Sequence, residues 1–293
     1  MNTIGKNLSS KIRNIKTLWG VNLDFENLSN LRNQMATIKK SFDGVEIATG
    51  FFDEKYKKDF MKILLELDLS VVTQIHTNGY PIKSKDLKVH LDDLKAKLEH
   101  SITWNPVLIN SHSGTDYWPL EKNIEFFLEA NNISEQFLDK SKIELFHETH
   151  RQRVLFSPFR SFEIMQKVAN IKLTLDLSHW IISSERLLCE ESDYYWKDLE
   201  TYLIKNTGLI HARISTTNNI QVVDPEFYKE YEVYFYYFWK KIIENSSRDI
   251  IYVDYEYGPD PYLFINPKDN KPIKDITDLV NEQRFKFEKF LKV

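Results

Sequence analysis

Eight short apolar runs, each followed by a longer stretch with helical spacing, recur along the 293 residues, and this alternation restricts the fold more than any other feature. Strands are read at residues 15–22, 42–48, 69–76, 106–112, 143–148, 171–177, 209–215 and 250–256, each an apolar stretch bounded by polar residues. The spacing predicts helices at 28–40, 53–67, 84–102 and 119–138, one opened by Pro158, a mostly helical stretch at 184–205, and helices at 225–245 and 276–291. Leu28, Leu31, Met35 and Ile38 share one face of the first helix, and Phe60, Ile63, Leu64 and Leu67 one face of the second. Strict alternation implies a parallel sheet, and eight repeats suffice to close a single-domain (β/α)8 TIM barrel. The expected layout is one α/β domain over residues 1–293, with residues 1–11 as a flexible tail. An open doubly wound sheet is the alternative, disfavoured because no glycine-rich phosphate loop follows any strand.

The runs also end alike. The fifth is the most abrupt: I-E-L-F-H-E-T-H-R-Q-R at 143–153 passes from apolar residues straight into His147, Glu148, His150, Arg151 and Arg153. His76, His112, Asp176 with His179, His211 with Arg213, and Asp254 with Glu256 close other runs. Successive strand side chains point to opposite faces. Asp176 therefore opposes Leu175 and Leu177, His211 and Arg213 oppose Ile210, Ala212 and Ile214, and Glu256 opposes Ile251 and Val253. The apolar set is expected to face the helices. The polar set, which includes Glu46, Gln74, Asn110 and Glu148, is expected to face the barrel axis at the carboxyl ends of the strands, where barrel enzymes build active sites. A single inward histidine is ordinarily a hydrogen-bonded core residue, but only His90 and His100 of the eight fall in a helix. Ionisable groups buried in such number have to be paired or bound to metal.

Composition narrows the class further. With 42% hydrophobic and 28% charged residues the chain reads as globular, and a net charge of -4 offers no basic field for nucleic acid. Cys189, the only cysteine, excludes an intrachain disulfide and a cysteine-cluster zinc site, and suits a reducing compartment. No run approaches the ~20 apolar residues of a membrane span, and the first ten residues lack a signal-like apolar core, so a cytoplasmic protein is expected. The aromatic share, 14%, suits sugar stacking or a subunit interface, with core packing as the plainer account.

Glu148, Asp176, His211 and Glu256 end four consecutive strands, so a closed barrel makes them neighbours. Three carboxylates and one imidazole suit a single divalent cation, Mn²⁺ first, with Mg²⁺, Co²⁺ or Zn²⁺ as alternatives. At these residues, and over nearly its whole length, the chain resembles the xylose isomerase-like TIM barrel superfamily, which includes sugar and sugar-phosphate isomerases and epimerases and also endonuclease IV. The stretches His147-Glu148-Thr149-His150-Arg151, Ser178-His179-Trp180, His211-Ala212-Arg213 and Glu256-Tyr257-Gly258-Pro259 look like a bacterial subgroup described as sugar phosphate isomerase/epimerase-like. The resemblance implies metal ligation by Glu148, Asp176, His211 and Glu256. It also implies that Glu148 and Glu256 act as base and acid, with His179 and Arg213 holding substrate oxygens.

The implied activity is proton abstraction next to the carbonyl of a sugar or sugar phosphate, through an enediolate. Glu46, His76, His112, His150 and Arg151 are then substrate-binding, with Glu46 alternatively in a buried ion pair. Arg151 and Arg153 suit a phosphate or carboxylate, or else a solvated loop. The expected partner is a small carbohydrate, with no nucleic acid and no membrane, and a homo-oligomer is left open. A metal-dependent lyase or eliminase on an oxidised sugar is the nearer alternative. An endonuclease IV-like zinc phosphodiesterase is more distant, since the additional Asp-x-His pair of that family has no counterpart after His211. A non-catalytic barrel would have lost ligands, and all four are present.

Overall fold

The computed structural model describes residues 8–138, 141–168, 170–223 and 225–292. In order the elements are β1 (Ile12–Thr17), α1 (Leu28–Lys39), β2 (Gly44–Ala48), α2 (Lys57–Glu66), β3 (Ser70–His76), α3 (Leu87–Ile102), β4 (Leu108–His112) and α4 (Leu120–Leu138). They continue with β5 (Glu144–Glu148), α5 (Pro158–Lys167), β6 (Leu173–Leu175), α6 (Leu177–Ser184), α7 (Trp196–Asn206), β7 (Thr207–His211), α8 (Lys229–Asn245), β8 (Ile251–Tyr255) and α9 (Ile276–Phe290). Each strand pairs in parallel with the next, and β8 returns to β1 through Ile12↔Ile251 to Lys16↔Tyr255, so the sheet closes into a (β/α)8 TIM barrel. A two-stranded ribbon, Ile265–Asn266 with Lys271–Pro272, decorates the loop after β8.

Helix starts follow local chemistry. The side chains of Asn27, Asp86, Ser157 and Asp275 each accept a backbone N–H from the first turn of α1, α3, α5 and α9, and Pro158 occupies the first turn of α5. Boundaries differ from expectation in three places. β1 lies at 12–17 instead of 15–22, because the polar Arg13 and Asn14 pair with β8 as strand residues and the chain leaves the sheet after Thr17. Past Ser184, only the part from Trp196 of the stretch expected to be mostly helical at 184–205 is helix, as α7; α6 comes earlier, because Asp176 caps it directly after β6 by accepting from Ser178 N, and Leu177, expected in the sixth strand, is its first residue. β7 begins at Thr207 with a bulge against β6, where Gly208 lies under Phe146; a Cβ there would come within 2.3 Å of the ring. Of the expected tail, residues 1–7 lie outside the described residues. Leu8–Lys11 forms one 3-10 turn, with Lys11 Nζ donating to the carbonyls of Ile243 and Ser246.

Strand parity divides the interior as the alternation predicts. Leu173, Leu175, Leu177, Ile210, Ala212, Ile251 and Val253 face outward into the main core with Phe126, Phe127, Phe235 and Trp239 of the helices. Each such fully buried side chain stabilises the fold by about 1.5–3 kcal/mol. Inside the barrel, Ile15, Val72, Leu108, Phe146 and Leu209 form an apolar plug toward the amino ends of the strands. Above it the inward residues turn polar.

Candidate active site

Strand ends and the residues just after them carry the polar layer, so backbone hydrogen bonding fixes where these side chains sit. Glu148 ends β5 and His211 ends β7, while Asp176 and Glu256 follow β6 and β8 by one residue. Glu148 and Asp176 are 1% and 0% exposed, and His211 and Glu256 are buried with them. His211 Nδ1 stands 3.6 Å from Glu148 Oε1 and 3.4 Å from Glu256 Oε2. Asp176 bridges two groupings whose ligand atoms lie within 4.8 Å of one another, one with Glu148 and His179, the other with His211 and Glu256.

The electrostatics of these four groups differ sharply. Burial pushes the Glu148 carboxyl up to about 6, with Glu256 adding to the rise while His211 and an Asn110 hydrogen bond oppose it. Burial also works against charge on Glu256, but the Arg213 guanidinium and His211 outweigh it and hold that carboxyl well below the usual range. Burial disfavours the His211 imidazolium too, yet Glu148, Glu46 and Glu256 raise its pKa well above the ordinary value. Arg213 ties the cluster together: it pairs with Asp176, approaches Glu256 Oε2 at 3.5 Å, and donates to Ser178 Oγ at 3.2 Å and to His179 Nε2 at 3.3 Å.

Beneath His211 a second carboxyl pair supports the first. Glu46 Oε1 is 3.4 Å from His211 Nε2, on the ring edge opposite Nδ1. Burial, reinforced by Glu46, raises the Asp254 carboxyl well above its ordinary value. Asn110 Nδ2 donates to Glu46 at 3.1 Å and to Glu148 at 2.7 Å, spanning both levels. Glu46 thus lies on the support side of His211, and Asn110 and Asp254, inward by parity, carry roles that sequence alone did not assign.

His76, His112, His150 and His179 form a continuous file across the barrel mouth, with successive ring centroids 4.2, 3.9 and 4.5 Å apart. Burial depresses all of them, His112 and His179 to about 3, so the file is neutral. His112 Nε2 lies 2.7 Å from Glu148 Oε2. His150 Nδ1 donates to the Arg151 carbonyl at 2.8 Å. The two arginines of the fifth loop part ways. Arg153, expected to suit a phosphate, is fully buried and donates to the carbonyls of Thr77, Gly114 and Gly79, so it braces the loops after β3, β4 and β5 instead. Arg151 stays at the rim, its guanidinium 5.0 Å from the centre of the Tyr262 ring.

A cavity of about 460 Å³ opens beside this cluster and reaches Glu46, His112 and Glu256. Sequence reading missed its outer wall, which loops build from Leu18, Trp19, Leu23, Phe52 and Tyr262. Loop residues carry no periodic signal, so only the three-dimensional arrangement reveals them.

The donor set was tested against a divalent ion. His211 Nδ1, Glu148 Oε1 and Glu256 Oε2 are buried without a hydrogen-bond partner and converge on one another. Asp176 Oδ1 accepts from both the backbone N–H and the hydroxyl of Ser178, while Oδ2 accepts from Arg213 and keeps a second lone pair for a cation. The residues fit a hard or borderline cation, and Glu46 at His211 Nε2 supplies the outer carboxylate that commonly orients a ligating histidine.

Comparison with known proteins bears on the fold. No family model matches the sequence. No curated protein matches it either. Solved structures do match. A xylose isomerase-like TIM barrel protein from Mycobacterium smegmatis in complex with magnesium aligns with a TM-score of 0.59 at 11% identity, over 90% of this chain and 89% of that one. D-allulose 3-epimerase from Methylomonas sp. in complex with D-allulose gives 0.60 at 12%, over 96% and 97%. The probable 3-DHS dehydratase of Bacillus anthracis gives 0.55 at 10%, over 93% and 97%. Along almost its entire length, this chain has the fold of the xylose isomerase-like TIM barrel proteins.

Proposed function

We propose that the protein is a divalent-metal-dependent isomerase or epimerase of a sugar or sugar phosphate, working by proton transfer at the carbon next to a carbonyl. The observation that carries this reading is the pair Glu148 and Glu256, set on either side of His211 Nδ1 with pKa values driven in opposite directions. Such separation suits two carboxyls with different tasks. Glu148, its carboxyl raised by burial, would be the general base that removes a C–H proton and returns one. Glu256, kept anionic by Arg213 and His211, is the second carboxylate and lines the cavity.

Glu148, Asp176, His211 and Glu256 would hold the ion, Mn²⁺ in the first instance. When bound, it polarises the carbonyl and acidifies the neighbouring C–H bond. His179 and Arg213, hydrogen-bonded to each other, would hold substrate oxygens and stabilise charge on the enediolate. His76, His112 and His150 line the cavity as neutral hydrogen-bonding groups, and Arg151 offers its guanidinium to a phosphate or carboxylate at the rim. The reading includes a single catalytic domain in a reducing cytoplasm. No helix of the described residues is long and apolar enough to cross a membrane.

The likeness to a dehydratase keeps one second reading: the same proton abstraction followed by loss of a leaving group. One experiment separates them. The protein is stripped of metal, reloaded with Mn²⁺ and incubated in D₂O with free and phosphorylated ketoses and aldoses. Deuterium at the carbon beside the carbonyl, with the formula otherwise intact, is the expected result, and a dehydrated product selects elimination. No deuterium in any sugar, from protein shown to hold its metal, overturns both.

A further inference from the structure

The cavity is built from two unlike halves. Its floor is ionic and polar, where Glu46, Gln74, His112 and Glu256 reach in. Its outer chamber, under the loops after β1 and β2, is apolar: Leu18, Val21, Leu23, Phe25, Phe51 and Phe52 contribute to it. This wall is anchored in the fold. Phe52 stacks on Phe60 and meets Trp104 edge-on at 4.8 Å, and Phe25 packs edge-on against both Phe52 and Phe60. Trp19 roofs the chamber. Its indole lies against Gly258, where a Cβ would come within 2.3 Å, and meets Tyr262 edge-on at 5.2 Å. Trp19 nevertheless keeps 36% of its surface exposed and Phe51 keeps 71%.

A polyhydroxylated chain seated on the ionic floor meets only apolar side chains at Leu18, Val21, Leu23, Phe25, Phe51 and Phe52, with polar groups confined to the rim at Tyr80, Arg151 and Tyr262. It would have to be desolvated there without compensation, or leave the chamber to water. Aryl and alkyl groups have neither difficulty. We propose that the outer chamber is a subsite for an apolar group carried by the substrate, so that the molecule turned over is a sugar bearing an aryl or alkyl substituent. The proposal rests on the sugar reading for its polar half, while the chamber stands on the walls alone. Continuity of chamber and floor within one cavity commits the occupant to the substrate, as opposed to a segment of another chain.

Calorimetry on the metal-loaded protein tests this with three probes: methyl β-D-glucopyranoside, phenyl β-D-glucopyranoside and phenol. The phenyl glycoside is expected to bind at least about tenfold more tightly than the methyl glycoside, with a negative heat-capacity change from apolar burial. In an alkyl glucoside series each further buried methylene adds about fourfold. Leu23→Asn and Trp19→Ala should each remove most of the phenyl advantage and leave methyl glycoside binding unchanged. Leu23→Met, which keeps the wall apolar, should retain the advantage even if Leu23→Asn proves unstable.

Equal affinity for the two glycosides overturns the chamber and leaves the sugar reading intact. Phenol bound in a Trp19-dependent way, with neither glycoside binding, overturns the proposal that a sugar carries the apolar group and leaves the chamber. No binding by any probe overturns the chamber, as does an oligomer in which Trp19 fluorescence shows the chamber closed by a second copy.

Discussion

The two sides of the barrel mouth follow opposite rules. On the β5–β8 side Glu148, Asp176, His211, Arg213 and Glu256 crowd together under almost complete burial, each charge answered by another. On the β1–β2 side loops present Leu23, Phe52 and a half-open Trp19 to a cavity, with little charge beyond Glu46 at its base. The contrast separates chemistry from recognition. Closed, low-dielectric surroundings strengthen electrostatics and shift pKa values, while an open apolar wall offers area and shape.

The strongest way to break this division is Glu148→Gln. If the charged side does the chemistry, solvent deuterium exchange into substrate should fall about 10²–10⁴-fold while the affinity for phenyl glycoside changes little. A comparable loss of binding would erase the distinction. Next comes the metal. Asp176→Asn nearly keeps shape and should weaken Mn²⁺ by more than about a hundredfold, beyond the 10–100-fold typical of losing an outer partner. His150→Ala should cost much less. Elemental analysis decides, supported by melts: adding Mn²⁺ at about 100 times Kd should stabilise wild type by about 2.7 kcal/mol and Asp176→Asn far less. Equal metal retention in the two variants would refute the ligand assignment.

Acid probes the buried side as a whole. Burial alone pushes His147 from 6.5 down to about 3, with its Nδ1 2.7 Å from Ser113 Oγ. The folded pKa lies below the unfolded one, so the stability that the neutral ring contributes is complete above about 6.5 and is lost as pH falls toward 3. Its slope is up to about 1.4 kcal/mol per pH unit. Urea titrations at pH 7.5 and 5.5 should show that loss, and His147→Gln should flatten it by about one proton; an unchanged slope counts against burial as the cause. At the seam between the sides, Arg151→Met should weaken a phosphorylated ligand about tenfold and leave the free sugar unchanged. A null result returns Arg151 to a solvated loop role. The smallest effect belongs to Phe51→Ser, expected to move stability by no more than about 0.5 kcal/mol because the ring is already exposed. A larger loss would mean that the recognition side also holds up the fold.

The same contrast explains what could be read from the chain beforehand. Strand parity placed Glu148, Asp176, His211 and Glu256 on one inner face because a strand has a strict period of two, and the closed barrel then made them neighbours. Parity also set Asn110 and Asp254 inward but could not say that they support Glu148 and Glu46, since those partners lie 38 residues from Asn110 and on a distant strand from Asp254. Boundaries slipped where one residue serves two purposes. Asp176 leaves β6 and caps α6 at once, so a strand-to-helix turn that usually occupies several residues is compressed into one. Trp19, Leu23 and Phe52 stayed hidden because their shared surface is assembled by two separate loops.

Arg153 bears on how such a protein can be altered. By donating to the carbonyls of Thr77 and Gly79 after β3 and of Gly114 after β4, Arg153, itself in the loop after β5, makes three segments from three different repeats depend on a single side chain. Those segments are therefore inherited as a block. Swapping in any one of them from a relative mismatches the guanidinium and its carbonyls, whereas exchanging all three together preserves the joint. The loops after β1 and β2 donate nothing to that joint; Phe25 and Phe52 pack on each other, so these two loops are exchanged as a pair, apart from the other three, which makes them the side on which new specificity is easiest to build.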